Sequence, residues 1–449
     1  MSAQPAVALD AIRPCFEGAI PSIMATCSAD GTPNVAYISQ VYYVDGRHVA
    51  LSFQFFNKTR ANILANPHAT VLLLHPVTAE FFRLQIRYLR TETQGPLFEG
   101  MKAQLAGIAS HTGMAGVFRL LGSDVYEVTA VEAVEGSPLP PAPPRTGLLG
   151  AVRRGSEQLA RCTTLEELLN AALAAMTDFM GMRHAMVLLL DAGTQRLYTV
   201  ASSGYATSGV GSEIEMGMGV IGVAARERTP VRIGHMNSAY LYSSAMRHSL
   251  QANVPDLAPA TDIPYPGLPE PHSQLAVPVL SAGRLLGVLF AESPRDLQFS
   301  YEDEDMLVSL AGHLGAAMDL MQATTEVAEP AAPAPAPAQA TAGAALQVRH
   351  FAVNDSVFVN GTYLIKGVAG AIIWKLLNDW REQGRTEFSN RELRLDASIG
   401  LPDITDNLEA RLVLLQRRLK EHGPHIRLEK TGRGRFRLVV QRPVELVAA

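Results

Sequence analysis

A run of alanine and proline, TEVAEPAAPAPAPAQATAGAA from Thr325 to Ala345, divides this chain. It holds almost no large apolar side chain from which to build a core, and its Ala/Pro alternation favours an extended, semi-rigid spacer. The segments on either side are therefore expected to fold separately. A second break, SPLPPAPPRT from Ser137 to Thr146, divides the longer segment again. A length of 449 residues suits about three domains. With 47% hydrophobic and 18% charged residues there is enough apolar material for a core in each. The expected domains are 1–136, 151–324 and 347–442, with linkers at 137–150 and 325–346.

The net charge of -5 conceals an asymmetry, because Gln347 to Arg442 holds 17 Lys/Arg against 11 Asp/Glu. The last domain is the basic one. Cys15, Cys27 and Cys162 are odd in number and far apart, which indicates neither a disulfide framework nor a zinc site and points to a reducing compartment. No basic stretch followed by an apolar segment opens the chain, and no run reaches the ~18 apolar residues of a membrane span. A cytoplasmic protein without a membrane partner is the expectation.

In the first domain short β-rich runs dominate: Ile23 to Thr26, Val35 to Val44, His48 to Phe53, Thr70 to His75 and Phe81 to Leu89. Asp30-Gly31 and Asp45-Gly46 fall between them as hairpin signals. A helix over Phe98 to Ala109 and a last strand near Val125 to Val128 complete an antiparallel barrel with helical additions. The order ATCSADGTPNVAYISQVYYVDGRHVALSFQFFNKTRANILANPHATVLL resembles the pyridoxamine phosphate oxidase-like FMN-binding split barrels over about 130 residues. The resemblance implies that Asn57, Lys58, Thr59 and Arg60 hold the flavin phosphate, with Ser52 as a further candidate. Cations, a hydroxyl and helix N-terminal amides are what a dianionic phosphate requires. Haem and deazaflavin are used by relatives of this barrel. Ala36 and Tyr37 stand where the oxidase carries an Arg, and its basic C-terminal substrate segment is not evident, so vitamin synthesis is not implied.

The second domain opens on a capping box, Thr164 with Glu167, before an amphipathic helix. Strands are expected at Ala185 to Leu190, Leu197 to Ala201, Val231 to Ile233, Gln274 to Leu280 and Leu285 to Ala291. Ser300 and Asp303 cap a final helix whose Leu307, Leu310, Leu314, Ala317 and Met321 form a core face or a coiled-coil seam. The stretches MGMGVIGVAARERTPVRI, SQLAVPVLSAGRLLGVLFAES and FSYEDEDMLVSLAGHLGAAMDLM resemble a GAF domain, an α/β (α+β) fold. That implies a small ligand, or none, between the sheet and the long segment Asn237 to Ser273.

In the third domain Asn360-Gly361 marks a hairpin, and Val368, Ile372, Leu376 and Trp380 repeat at helical spacing. A shorter helix follows Ser389-Asn390. A third helix, Ile404 to Lys420, carries Ile404, Leu408, Leu412, Leu415 and Leu419 on one face, and two strands flank Thr431 to Gly434. The segment LVLLQRRLKEHGPHIRLEKTGRGRFRL resembles the end of an OmpR/PhoB-type winged helix-turn-helix. The resemblance implies duplex DNA contacts from Asn407, Arg411, Arg417, Arg418 and Lys420 on the helix, and from Arg433 and Arg435 on the wing. Val413 and Leu414 lie off the core stripe, and suit a protein partner better than base edges.

The whole reads as a multidomain sensor-regulator, an expected homodimer, in which a flavin barrel and a GAF domain bias a winged-helix, transcriptional output. A second reading is an FMN-dependent oxidoreductase regulated by its other domains. A third is a cofactor-free interaction scaffold. No nucleophile-base constellation, metal-ligand motif or nucleotide P-loop stands out, so catalytic residues stay unassigned and no metal is expected.

Overall fold

The computed structural model describes residues 7–16, 22–38, 40–53, 58–111, 120–138, 147–234, 263–326, 344–401, 408–432 and 434–448. The first unit is one seven-stranded antiparallel sheet in the order β2-β1-β5-β6-β7-β4-β3. Its strands are β1 (Ser22–Cys27), β2 (Pro33–Ile38), β3 (Val41–Asp45), β4 (His48–Phe53), β5 (His68–Leu74), β6 (Phe81–Glu92) and β7 (Gly122–Ala133). Helix α1 (Lys58–Ala65) follows β4, and α2 (Pro96–His111) follows β6. Both predicted hairpins form. Gly31 takes φ +84°, which suits a residue without a Cβ, and the Asp45 carboxylate accepts the amides of Arg47 and His48 at 2.8 and 3.0 Å. Met24 of β1, next to one edge of the sheet, and Val41 of β3, at the other edge, share one core with Val49, Val71 and Leu84, so the sheet curls around them.

The second unit contains α3 (Leu148–Leu159), α4 (Leu165–Ala174), β8 (His184–Asp191), β9 (Arg196–Ser203), β10 (Glu213–Glu215), α5 (Gly219–Glu227), β11 (Val231–Ile233), β12 (Ser273–Ser281), β13 (Arg284–Ser293) and α6 (Tyr301–Glu326). A six-stranded antiparallel sheet, β10-β9-β8-β13-β12-β11, carries α3, α4 and α6 on one face and α5 on the other. Strand alternation sends Val187 and Leu189 to the first face and Met186 and Leu188 to the second. The capping box is present, with the Glu167 amide donating to Thr164 Oγ1 and the Thr164 amide to Glu167 Oε2, both at 3.2 Å. Leu307, Leu310 and Leu314 are fully buried in this core, with Ala317 and Met321 packed against it. The stripe read as core face or seam is used inside the unit. Helix α3 begins inside the stretch assigned to the linker, and was not foreseen.

The third unit runs β14 (Leu346–Phe351), β15 (Ser356–Val359), β16 (Thr362–Ile365), α7 (Gly367–Gln383), β17 (Glu387–Ser389), α8 (Asn390–Leu395), α9 (Leu408–His422), β18 (Ile426–Gly432), β19 (Arg435–Val440) and β20 (Val444–Ala448). One sheet is ordered β16-β15-β14-β20, with β20 parallel to β14; the other is β17-β19-β18, antiparallel. The Asn360-Gly361 turn has φ +51° and +80°, as a tight hairpin of right-handed twist requires. Strands β17 and β20 lie beyond the sequence reading.

The second and third units, expected to fold separately, are packed against one another. Apolar packing runs unbroken from one core to the other, and Val413 and Leu414, read from the sequence as exposed, are 8% and 5% accessible. Burying that pair removes apolar surface from water, which favours docking at roughly 25 cal/mol per Å². All three cysteines are free thiols. Among the described residues no helix is long and apolar enough to cross a membrane.

Candidate functional site

Two regions gather the residues singled out from the sequence. In the first unit, α1 starts directly beyond β4 and carries three of them. Lys58 is exposed. Thr59 is buried, and its hydroxyl accepts Asn34 Nδ2 at 2.9 Å. Arg60 is drawn inward, ion-paired to Asp124, donating to Thr91 Oγ1 at 2.8 Å and lying over the Phe53 ring at 4.4 Å. Burial opposes the Arg60 charge, but the Asp124 carboxylate outweighs it and raises the pKa above its usual value. Asn57 lies outside the described residues.

Ser52 does not join this group. It pairs with Ser123 across β4 and β7, and strand alternation puts both on the face of Ala50, which packs against Phe98 and Met101 of α2. Arg60 is on the opposite face, with Phe53 and Asp124. A phosphate at the start of α1 would meet Lys58 and the first-turn amides, and would reach Arg60 only by competing with Asp124. The residues thus fit a phosphate through Lys58 and the helix start. His75, just beyond β5, uses Nδ1 to accept the amides of Val77 and Thr78 at 3.2 and 3.1 Å, and burial lowers its pKa.

The second region is the seat of α9 on the second unit. Arg411 pairs with Asp191, the last residue of β8, at 2.6 Å, and lies over the Tyr198 ring at 5.1 Å. Although burial works against ionisation of Asp191, the Arg411 guanidinium and Thr194 hold its pKa below the usual carboxylate value. Arg417 donates to the Val200 carbonyl and, at 2.6 Å, to Asn170 Oδ1 on α4, and burial lowers its pKa. Glu421 accepts from the Ser208 hydroxyl, and Lys366 pairs with Glu213 at 3.3 Å. Arg418 turns back into its own unit, donating to the Leu364 carbonyl at 3.0 Å and pairing with Glu421 at 2.7 Å. Of the helix residues read as DNA contacts, Lys420 is exposed, whereas Arg411, Arg417 and Arg418 are engaged. Arg435 is half-buried at the start of β19; Asn407 and Arg433 lie outside the described residues. Asp191, Asn170 and Val200 carried no sequence signal; the unpaired apolar residues Val413 and Leu414 were the only hint that α9 has a protein neighbour.

A third cluster lies within the second unit. Glu292, 2% accessible, accepts the Leu268 amide at 2.8 Å and Gln274 Nε2 at 3.0 Å, and burial raises its pKa. His235 and His248, on the long segment before β12, lie outside the described residues. His272 pairs with Asp296 at 3.3 Å.

Comparison with known proteins agrees with the first two units. Residues 8–132 match the family model described as pyridoxamine 5'-phosphate oxidase, and residues 162–319 match that of the GAF domain. The chain therefore carries a β-rich pyridoxamine 5'-phosphate oxidase-like domain followed by a GAF domain. Among solved structures it is similar to the GAF domain of an Acinetobacter phosphoenolpyruvate-protein phosphotransferase, at 21% identity over 41% of this chain and 99% of that one, TM-score 0.31. The free methionine-R-sulfoxide reductase from Neisseria meningitidis, in complex with its substrate, is 21% identical over 41% of this chain and 98% of that one, TM-score 0.31. An FMN-binding protein from Syntrophomonas wolfei subsp. wolfei is 16% identical over 28% of this chain and 84% of that one, TM-score 0.24. The search of curated proteins found no match.

Proposed function

We propose that this protein is a sensor-regulator in which an FMN-type flavin on the N-terminal domain and the GAF domain bias a winged-helix, transcriptional output. The observation that carries the reading is the direct seat of α9 on the GAF domain, through Arg411–Asp191 at the end of β8 and Arg417–Asn170 on α4. A change of state in the GAF domain is then felt at the helix without an intermediary. The order of a small sheet, three helices and the antiparallel pair β18 and β19 supports a winged helix for the third unit. When bound, the flavin would supply redox-responsive chemistry; Lys58 and the first-turn amides of α1 would hold its phosphate.

A homodimer belongs to the same reading. Strand β2 ends the first sheet, and Val35 and Tyr37 on it are 67% and 79% exposed, an apolar edge that a second copy would cover. The GAF domain would take its small ligand beside Glu292.

Purified full-length protein tests the reading directly. Flavin absorbance bands that persist through gel filtration, a dimeric mass and retention of duplex DNA at ~50 mM salt are expected. Colourless protein with no FMN affinity removes the flavin sensor, and absence of DNA retention under every ligand condition removes the transcriptional output.

A further inference from the structure

We propose that the contact between α9 and the GAF domain is a releasable latch that keeps the basic face of the helix from its target. The proposal rests on the reading of α9 as the helix that meets duplex DNA. A helix that binds a phosphate backbone must present its cations to solvent. Here Arg411 is 5% accessible and pinned on Asp191, and Arg417 is turned onto the Val200 carbonyl and Asn170. Two of the arginines that would face phosphate face the GAF domain instead. A DNA duplex and the edge formed by β8, β9 and α4 cannot occupy that face together.

The joint combines the buried apolar pair Val413 and Leu414 with polar contacts that can be exchanged. Three of its polar contacts, Arg411–Asp191, Lys366–Glu213 and Ser208–Glu421, join side chains of both units, so the cations can exchange their partners for water or phosphate and the carboxylates theirs for water. Beside them lies a cleft of ≈ 870 Å³, lined from both units by Asp191, Arg196, Glu213, Lys366 and Arg411. The ion pairs and the cleft lower the cost of opening relative to an interface closed by apolar packing throughout, and Val413 and Leu414 are the apolar part that opening exposes. Asp191, Asn170 and the Val200 carbonyl, which hold Arg411 and Arg417, are on the GAF side, so the latch offers these two arginines oxygen acceptors in place of those of a phosphate backbone.

The test uses the full chain with two GAF-side substitutions. Asp191→Arg sets a like charge against Arg411. Asn170→Arg, on an exposed position of α4, does the same to Arg417 at no cost to the GAF core. Amide hydrogen exchange over 408–422 reports opening without reference to DNA. Retention of random duplex DNA at ~50 mM salt reports exposure of the basic face. Expected are at least tenfold faster exchange in α9 and at least tenfold tighter DNA retention in each variant. The charge swap Asp191→Arg with Arg411→Asp should restore slow exchange. Faster exchange without a gain in DNA retention keeps the latch and removes the DNA reading. Unchanged exchange in the Asn170→Arg protein, which decides the matter should Asp191→Arg fail to fold, overturns the latch.

Discussion

Arg411 of α9 meets Asp191 at the end of β8 at 2.6 Å, with side chains 7% and 16% exposed, so that a largely buried ion pair joins the third unit to the GAF domain. Charges at this depth have given up most of their water, and their mutual attraction offsets the loss only while both are present. Asp191→Ala, which leaves Arg411 without its carboxylate, is expected to cost ~3 kcal/mol of stability. Asp191→Leu combined with Arg411→Met is expected to cost far less. Urea unfolding of the two variants checks the difference; equal losses would show that the charges contribute only through shape.

Arg60 and Lys58 separate stability from phosphate binding. Arg60, 14% exposed at its side chain, is buried against Asp124, so Arg60→Ala should lose ~3–5 kcal/mol with or without FMN. Lys58 is exposed, and Lys58→Ala should leave stability within ~0.5 kcal/mol while weakening FMN binding by ~1.5–3 kcal/mol. Thermal melts together with FMN titration check both. An Arg60→Ala protein as stable as the parent would show that the guanidinium is held for the ligand rather than for the fold.

Glu292 gives a pH dependence of defined sign. Burial raises its pKa above the ordinary 4.5, so the folded chain keeps a proton that the unfolded chain releases. Above that ordinary value the unfolded state binds fewer protons, and stability falls as pH rises until the raised folded value is passed. Glu292→Gln removes the titration and still offers an oxygen to the Leu268 amide. Its melting temperature should exceed that of the parent by more at about pH 8 than at about pH 5. Parallel curves for the two proteins would place the carboxyl's proton affinity at its usual value.

The elements legible in the sequence were those with a local signal. Asp30-Gly31, Asp45-Gly46 and Asn360-Gly361 each lie at a turn between antiparallel strands, because the turn dictates the residue. Thr164 and Glu167 marked the start of α4 for the same reason. Helix α3 carries a weak sequence signal, because Gly150 and Gly155 lower its helix propensity. Gly155 lets the helices approach closely there, since a Cβ would crowd Ala175 and Leu310 at 3.2 Å. Strands β17 and β20 have only three and five residues, and their partners are distant in sequence. The candidate site followed the same rule. Arg411 and Arg417 could be picked out as basic helix residues, but the choice between phosphate, Asp191 and Asn170 as partner depends on tertiary placement. Likewise Arg60 looks identical in sequence whether it faces a ligand or Asp124.

The joint between the N-terminal domain and the GAF domain makes the last prediction. Tyr301, at the start of α6, lies between two guanidinium groups, Arg13 at 4.5 Å and Arg232 at 4.2 Å from its ring centroid, and donates its hydroxyl to the Phe16 carbonyl at 3.1 Å. Burial pushes its pKa up to about 12, so the hydroxyl stays protonated and donating. Arg232 is 3% exposed and paired to Glu304 at 2.9 Å, which anchors one side of the stack within the GAF domain. Arg13 belongs to the N-terminal domain, so the ring is shared between the two. Tyr301→Phe removes only the hydrogen bond and should cost ~1 kcal/mol. Tyr301→Ala also removes the surface on which both cations rest, and should lower stability by ~3–5 kcal/mol. The second substitution further predicts a change in cooperativity: calorimetry should show the parent's N-terminal and GAF transitions coinciding and the Tyr301→Ala transitions separating. Coincident transitions in the variant would mean that α2, packed on α5 and β11, couples the domains without the stack.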